Sequence, residues 1–289
     1  MQTHHHNQRL EYLTRIKDLQ FLDEAWYLAR HPDILNSGLD ATTHFLASGV
    51  HEWRSPSPCV DLRTVAEALP QARRTGSAAP LHLLEGGIDA GTRTSAFVDL
   101  DWYARSNGLA DAGSRERFTH LVTVGRPEGR APSPWLDLDR YGEQHAEIGR
   151  GGLDPFEYFL AVGRWLHRFP HPAWDEERYV GLNDYVRTAV GSGKFASGFE
   201  HFCAVGWKEA SREAIALPLR IDGRDDEYSE GRYRAANADV DEAVRSGTVR
   251  SGLEHLMTIG HREIAAGERT LKHPSPFSTA TLLTGGADA

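Results

Sequence analysis

One landmark recurs six times along the chain and limits what it can fold into. A histidine, once a tyrosine, is followed by Phe or Leu, and a glycine lies five residues after the first position. The copies are His44-Phe45…Gly49, His82-Leu83…Gly87, His120-Leu121…Gly125, Tyr158-Phe159…Gly163, His201-Phe202…Gly206 and His255-Leu256…Gly260. Successive intervals are 38, 38, 38, 43 and 54 residues. A fixed period of this size is the mark of a repeat architecture, in which one small unit cannot bury its apolar face without its neighbours.

A tyrosine precedes the landmark by 17 residues at Tyr27, Tyr103 and Tyr141, and by 22 at Tyr179 and Tyr233; Val65 holds the slot in a degenerate second copy. The last two copies gain residues around Gly191–Gly198 and Ser246–Gly252, and a further insertion falls within Ser211–Asp226. After the glycine comes a Pro-x-Pro connector, read in GVHEWRSPSPCVD, GRPEGRAPSPWLD and GRWLHRFPHPAWD.

Local chemistry turns each unit into two short helices. An acidic residue three or four positions before the tyrosine (Asp23, Asp99, Asp137, Asp175, Glu230) suits an N-cap or first turn. The run EAWYLARH has helical apolar spacing and stops before Pro32, since a residue preceding proline avoids the helical region. The repeat glycine fits a left-handed C-terminal cap, and the Pro-x-Pro segment is an extended connector. The expected fold is all-α: a helical repeat, or solenoid-like stack, of six two-helix units of 38–54 residues with Pro-rich connectors. Residues 1–20 are an N-terminal tail and helix, the helix covering 7–19. The units are 21–58, 59–96, 97–134, 135–172, 173–222 with a linker, and 223–271. The stretch 272–289 is a disordered tail.

The landmarks resemble a repeat common in alphaproteobacterial proteins, whose consensus runs Tyr-Leu-x-x-Asn-Pro-Asp-Val, a spacer, then His-Tyr-x-x-x-Gly-x-x-Glu-Gly-Arg-x-Pro. YLARHPDI and YRAANADV match the first half; THLVTVGRPEGRAPSP and EHFCAVGWKEASR match the second. The second unit departs from it, lacking the Pro-Asp and Glu-Gly-Arg elements. The resemblance implies an accessory module of the kind found beside glycosyltransferases for surface polysaccharide, or inside secreted calcium-binding and hydrolytic proteins. It carries no catalytic residue over to this chain.

Gross composition narrows the partners. Hydrophobic residues make up 40% and charged residues 25%, as in globular chains. A net charge of −9 disfavours nucleic acid or an anionic membrane as the main partner. The first twenty residues contain no secretion-signal core, and no apolar run approaches the ~18 residues of a membrane span. With only Cys59 and Cys203, no disulfide framework is expected. A cytoplasmic location follows as the expectation, with export through a C-terminal signal left open.

Candidate chemistry reduces to one feature. The repeated histidines sit about one unit apart, roughly 10 Å or more, whereas ligands of one zinc lie within ~2.1 Å of it; they are read as bridges between helices or units. His4-His5-His6 reads as a tail, and His51-Glu52 lacks the second histidine of a zinc-protease motif because Ser55 stands there. Gly191-Ser192-Gly193-Lys194 lacks the Ser or Thr of a phosphate loop, and Asp99-x-Asp101 and Asp137-x-Asp139 fall at helix-cap positions. No metal, cofactor or catalytic residue is expected. Trp26 and Trp102 are read as core. Trp53, Trp165 and Trp207, just past the repeat glycine, and Trp135 and Trp174, on connectors, are the candidate binding residues, able to stack on sugar rings or anchor a partner protein. The function expected is a non-catalytic scaffold that holds a protein partner in cell-surface polysaccharide biosynthesis. The alternatives are a glycan-binding module or, further off, an accessory part of a glycosyltransferase.

Overall fold

Six helices open in the same way, each on a capping side chain four residues before the repeat tyrosine or its equivalent. Asp23, Asp61, Asp99, Asp137, Asp175 and Ser229 accept a hydrogen bond from the main-chain N–H two or three residues on, at Trp26, Arg63, Trp102, Arg140, Arg178 and Arg232. Satisfying an otherwise orphaned donor is worth about 1 kcal/mol per helix. In the last unit the cap is Ser229 rather than the acidic Glu230 next to it. Each of these helices is seven residues long, from Glu24–Arg30 to Glu230–Ala236, too short to persist without packing.

The computed structural model describes residues 2–69, 81–151 and 154–271. It is mostly helical, and among the described residues no helix is long and apolar enough to cross a membrane. The tail expected over 272–289 lies outside the described residues. By its internal contacts the chain divides into two compact parts, residues 1–206 and 207–289.

Three expectations are corrected here. Pro32 ends one helix and opens another, because its ring suits the first helical position: Pro32–Ser37 follows Glu24–Arg30 directly. Ala146–Gly151, Asp184–Gly191 and Ala238–Arg245 occupy the same place in later units, so these units carry three helical segments, not two. The N-terminal helix is Gln2–Asp18 rather than 7–19. The insertion within Ser211–Asp226 folds as an antiparallel hairpin, Pro218–Ile221 with Arg224–Glu227. Asp222 and Gly223 turn it at φ +51° and +72°, the pair of positive angles a tight two-residue hairpin loop requires.

The last segment of a unit carries the repeat landmark. In five units it closes with a widened π-turn: Phe45–Gly49, Leu83–Gly87, Leu121–Gly125, Phe202–Gly206 and Leu256–Gly260. Tyr27, Tyr103, Tyr179 and Tyr233 each share a hydrogen bond of 2.8–3.0 Å between their hydroxyl and Nδ1 of the unit's histidine. The histidines therefore tie the first helix to the last within one unit. Where Tyr158 replaces the histidine, Tyr141 donates instead to the Arg168 carbonyl at 3.0 Å, and the π-turn gives way to a tighter turn at Gly163–Leu166.

The repeat glycine is not the left-handed cap the sequence suggests. A Cβ on Gly49, Gly125, Gly163, Gly206 or Gly260 would lie 2.0–2.3 Å from the tyrosine Oη of its unit. Glycine is required there because a buried hydroxyl occupies the side-chain position. The left-handed cap comes later. Trp53, Gly91, Gly129 and His167, each four residues after a repeat glycine, have φ between +54° and +74°. The N–H of the following residue returns to the glycine carbonyl at 2.8–3.0 Å, closing a Schellman-type end.

Within residues 1–206 each unit is tied to its own connector. The N–H groups of Asp23, Asp61, Asp99 and Asp137 donate to the carbonyls of Pro56, Thr94, Pro132 and Pro170. The connectors also pack across units that are not sequence neighbours. Phe97 of the third unit meets Phe199 of the fifth with ring centroids 6.2 Å apart, and also Phe159 of the adjacent fourth unit at 5.2 Å. The Arg93 guanidinium donates to the carbonyls of Cys203 and Ala204 in the π-turn of the fifth unit.

Candidate functional site

The five tryptophans expected to bind separate into two classes. Trp135 is fully buried, edge-on to Phe202 at 5.3 Å. Trp174 is buried against Tyr179, Phe199 and Phe202, with ring centroids 4.7–5.1 Å away, and its indole N–H donates to Glu176 at 3.0 Å. These two are corrected: they pack against helical segments of the fifth unit, with Trp135 fully buried and Trp174 only 8% exposed. Cys59, Phe97 and Ala173, buried at the repeat position of Trp135, show the same inward direction. Trp207 is half-buried in residues 207–289, with Arg250 4.7 Å and Lys208 5.3 Å from its ring centre.

Trp53 and Trp165 come together, and with them Trp26, for which the sequence suggests a core position. All three line one groove of about 390 Å³ within residues 1–206, a volume in the usual range for ligand sites, about 300–1,000 Å³. Trp165 is 60% exposed, and Leu166 beside it 53%. Trp102, also expected in the core, is half-buried and lies outside this groove.

Each side chain reaches the groove for a local reason. Trp26 follows the Asp23 cap, and Arg30 lies one turn on, so its guanidinium sits over the Trp26 ring at 5.7 Å. Trp165 stands on the tight turn that replaces the π-turn in the fourth unit, with the Arg164 guanidinium 4.9 Å from its ring centre. Trp53 takes the left-handed cap position at φ +58°, where the second and third units have Gly91 and Gly129. A bulky residue there costs on the order of 1–3 kcal/mol, a strain that local folding does not require.

The groove is cationic inside an acidic protein. Arg54 is held by Asp33 through two bonds of 3.0 and 2.9 Å and by Glu52 at 2.5 Å. Arg164 has Glu200 at 3.5 Å. Among the described residues, Arg30 and Arg63 have no carboxylate within ion-pair distance. Burial first, and then the neighbouring Arg164 charge, pull the Arg30 pKa down; burial and then Arg54 do the same to His31. Arg30 and Arg164 thus share a space in which the one ion-pairing carboxylate is Glu200, whose own pKa burial pushes up.

A larger cleft of about 880 Å³ surrounds Arg126, which is buried between Asp23 at 3.2 Å and Glu157. Its charge is met by carboxylates from two other units, so this is a structural ion cluster. Cys59 and Cys203 are buried free thiols, and burial pushes the Cys59 pKa up to about 12, which leaves it inert. No three His, Cys, Asp or Glu among the described residues are grouped to hold a metal ion. Arg30, Arg63, Arg164 and Trp26 do not stand out in the sequence as site residues; only the four-residue spacing of Trp26 and Arg30 on one helix face hints at any of them.

No family model matches the chain, and neither a curated protein nor a solved structure is significantly similar to it.

Proposed function

We propose that this chain is a non-catalytic binding module, a scaffold of six repeated helical units that presents the tryptophan groove to a partner. The observation that carries this reading is the convergence of Trp26 and Trp53 from the first unit with Trp165 from the fourth on one arginine-lined groove. Rigid aromatic anchors beside arginine are the side chains that dominate binding energy in recognition surfaces. The seat of the cost supports it too, since Trp53 occupies a position where glycine would relieve backbone strain.

The resemblance to repeats that accompany surface-polysaccharide glycosyltransferases supports a role in polysaccharide biosynthesis, in the cytoplasm, with a protein partner from that assembly. Stacking of successive units as a solenoid belongs to the same proposal. Within residues 1–206, contacts between units that are not sequence neighbours depart from an ideal linear array, which has only nearest-neighbour contacts. The groove favours a second reading, in which the module holds the saccharide itself.

Affinity capture from native lysate tests the proposal, with wild type and the Trp165→Ala variant run side by side. Retention of polysaccharide-assembly proteins by wild type and their loss from the variant is the expected result. Equal recovery by both removes the groove from protein binding, and recovery by neither removes the protein partner and leaves the saccharide reading.

A further inference from the structure

Resting on the reading of the groove as a binding site, we infer that its ligand is an acidic saccharide, a short run of sugar rings bearing carboxylates of the uronic-acid type. Three features of the groove select this chemistry. Trp165, 60% exposed, and the half-buried Trp26 and Trp53 offer apolar ring faces, and sugar rings stack on such faces through their C–H groups. Arg30 and Arg63 have no carboxylate at ion-pair distance among the described residues, and Arg30 lies close enough to Arg164 to feel its charge. A ligand carboxylate in the groove adds to the counter-charge that Glu200 alone gives Arg164, and a guanidinium can bind it through two parallel bonds.

The third feature is the company these cations keep. Glu52 and Asp61 also line the groove, with Ser55 and Ser57. The carboxylates accept hydrogen bonds from hydroxyls and the serines both donate and accept, and sugar rings carry hydroxyls around their edges. The chain's net charge of −9 repels any long polyanion whose footprint extends beyond the groove. A short acidic sugar segment meets the local positive charge without meeting the acidic surface around it. Trp53 holds its aromatic face at a left-handed cap, where the second and third units have glycine and the fourth has His167.

The test is a titration of the whole chain, followed by tryptophan fluorescence, with tetragalacturonic acid and with its fully methyl-esterified form. The two probes share rings and hydroxyls and differ in charge. The expected result is saturable quenching by the acid and binding weaker by about tenfold or more for the ester. Arg63→Gln and Arg30→Gln should weaken binding of the acid by a larger factor than binding of the ester, narrowing the gap between the two probes. Trp53→Gly should lose binding while its urea midpoint holds or rises, which separates loss of the site from loss of the fold.

Equal affinity for acid and ester overturns the charge assignment. Tighter binding of an oligothymidylate of the same charge than of the tetragalacturonate overturns the saccharide. If neither sugar binds while capture of a partner from lysate still depends on Trp165, the saccharide inference falls and the binding module stands. If Trp165→Ala changes nothing in either experiment, both fall.

Discussion

Substituting Gly49 by alanine puts a methyl group where the Tyr27 hydroxyl already is. The Cβ would lie 2.3 Å from Tyr27 Oη, 3.2 Å from Phe45 Cδ2 and 3.5 Å from Tyr27 Cζ. Carbon and oxygen in contact sit roughly 3.5 Å apart, so about 1 Å of movement is required of a tyrosine that is 0% exposed. Overpacking of this kind costs about 1–3 kcal/mol. Tyr27→Phe alone removes the 3.0 Å hydrogen bond to His44 and costs about 1 kcal/mol or somewhat more, because a buried ring nitrogen loses its partner. The double variant is the informative one. With the hydroxyl gone, the new methyl fills its space, and the remaining contacts at 3.2 and 3.5 Å need only slight relaxation. The double variant should therefore be more stable than the sum of the single changes predicts, by about 1 kcal/mol or more, in urea unfolding of the four members of the cycle. Gly181→Ala is the control. It lies inside the helix Glu176–Leu182 with nothing within 4 Å of its Cβ, and should gain up to about 1 kcal/mol from helix propensity. Additive single costs, or a Gly49→Ala cost below about 0.5 kcal/mol, would refute the claim that the hydroxyl is why this position is glycine.

Other perturbations read other parts of the fold. Trp135→Ala and Trp174→Ala should each lower stability by about 3–5 kcal/mol in urea titrations, whereas the exposed Trp165→Ala should stay within about 0.5 kcal/mol of wild type. Arg93→Met removes the guanidinium bonds to the Cys203, Ala204, Ser95 and Ala96 carbonyls and should lower the urea midpoint, at about 1 kcal/mol per bond lost. Burial, helped by Lys194, holds the His201 pKa down at about 4, below its unfolded value of 6.5. The unfolded chain then takes up the proton first, so the contribution of His201 is whole above pH 6.5 and is lost as pH falls towards 4. Melting temperatures of wild type and His201→Gln should therefore converge across that window. A constant gap from about pH 7 to 4 would contradict the assignment; Glu176 and Glu200, raised by burial, act in the opposite sense and are common to both proteins.

Much of each unit is legible in the amino-acid order alone, for reasons that can be named. The aspartate caps and the stop at Pro32 act within three or four residues of themselves, so local chemistry decides them. The Asp222-Gly223 pair is equally legible: Asp-Gly between LPLRI and RDDEY is the signature of a tight hairpin, and treating that stretch as a linker overlooks it. The glycine cap is easily misplaced because two glycine requirements stand four residues apart, at Gly125 for the Tyr103 hydroxyl and at Gly129 for a positive φ, and sequence alone marks both only as glycine.

What the sequence by itself determined was the period, the helix starts and the pairing of tyrosine, histidine and glycine, because the copies repeat them at a set spacing and each acts inside its own unit. Only the tertiary structure decided which tryptophans face solvent. Cys59, Phe97, Trp135 and Ala173 share one buried repeat position yet differ several-fold in volume, so the space each fills is set by the tertiary packing around it, as with Phe199 beside Phe97 and Phe202 beside Trp135. The groove arises in the same way. Trp26 and Trp53 are more than a hundred residues from Trp165, and no periodicity records that the first and fourth units close on one another; that contact is set by the burial of aromatic surface between connectors, which depends on the whole packed arrangement and not on any one repeat.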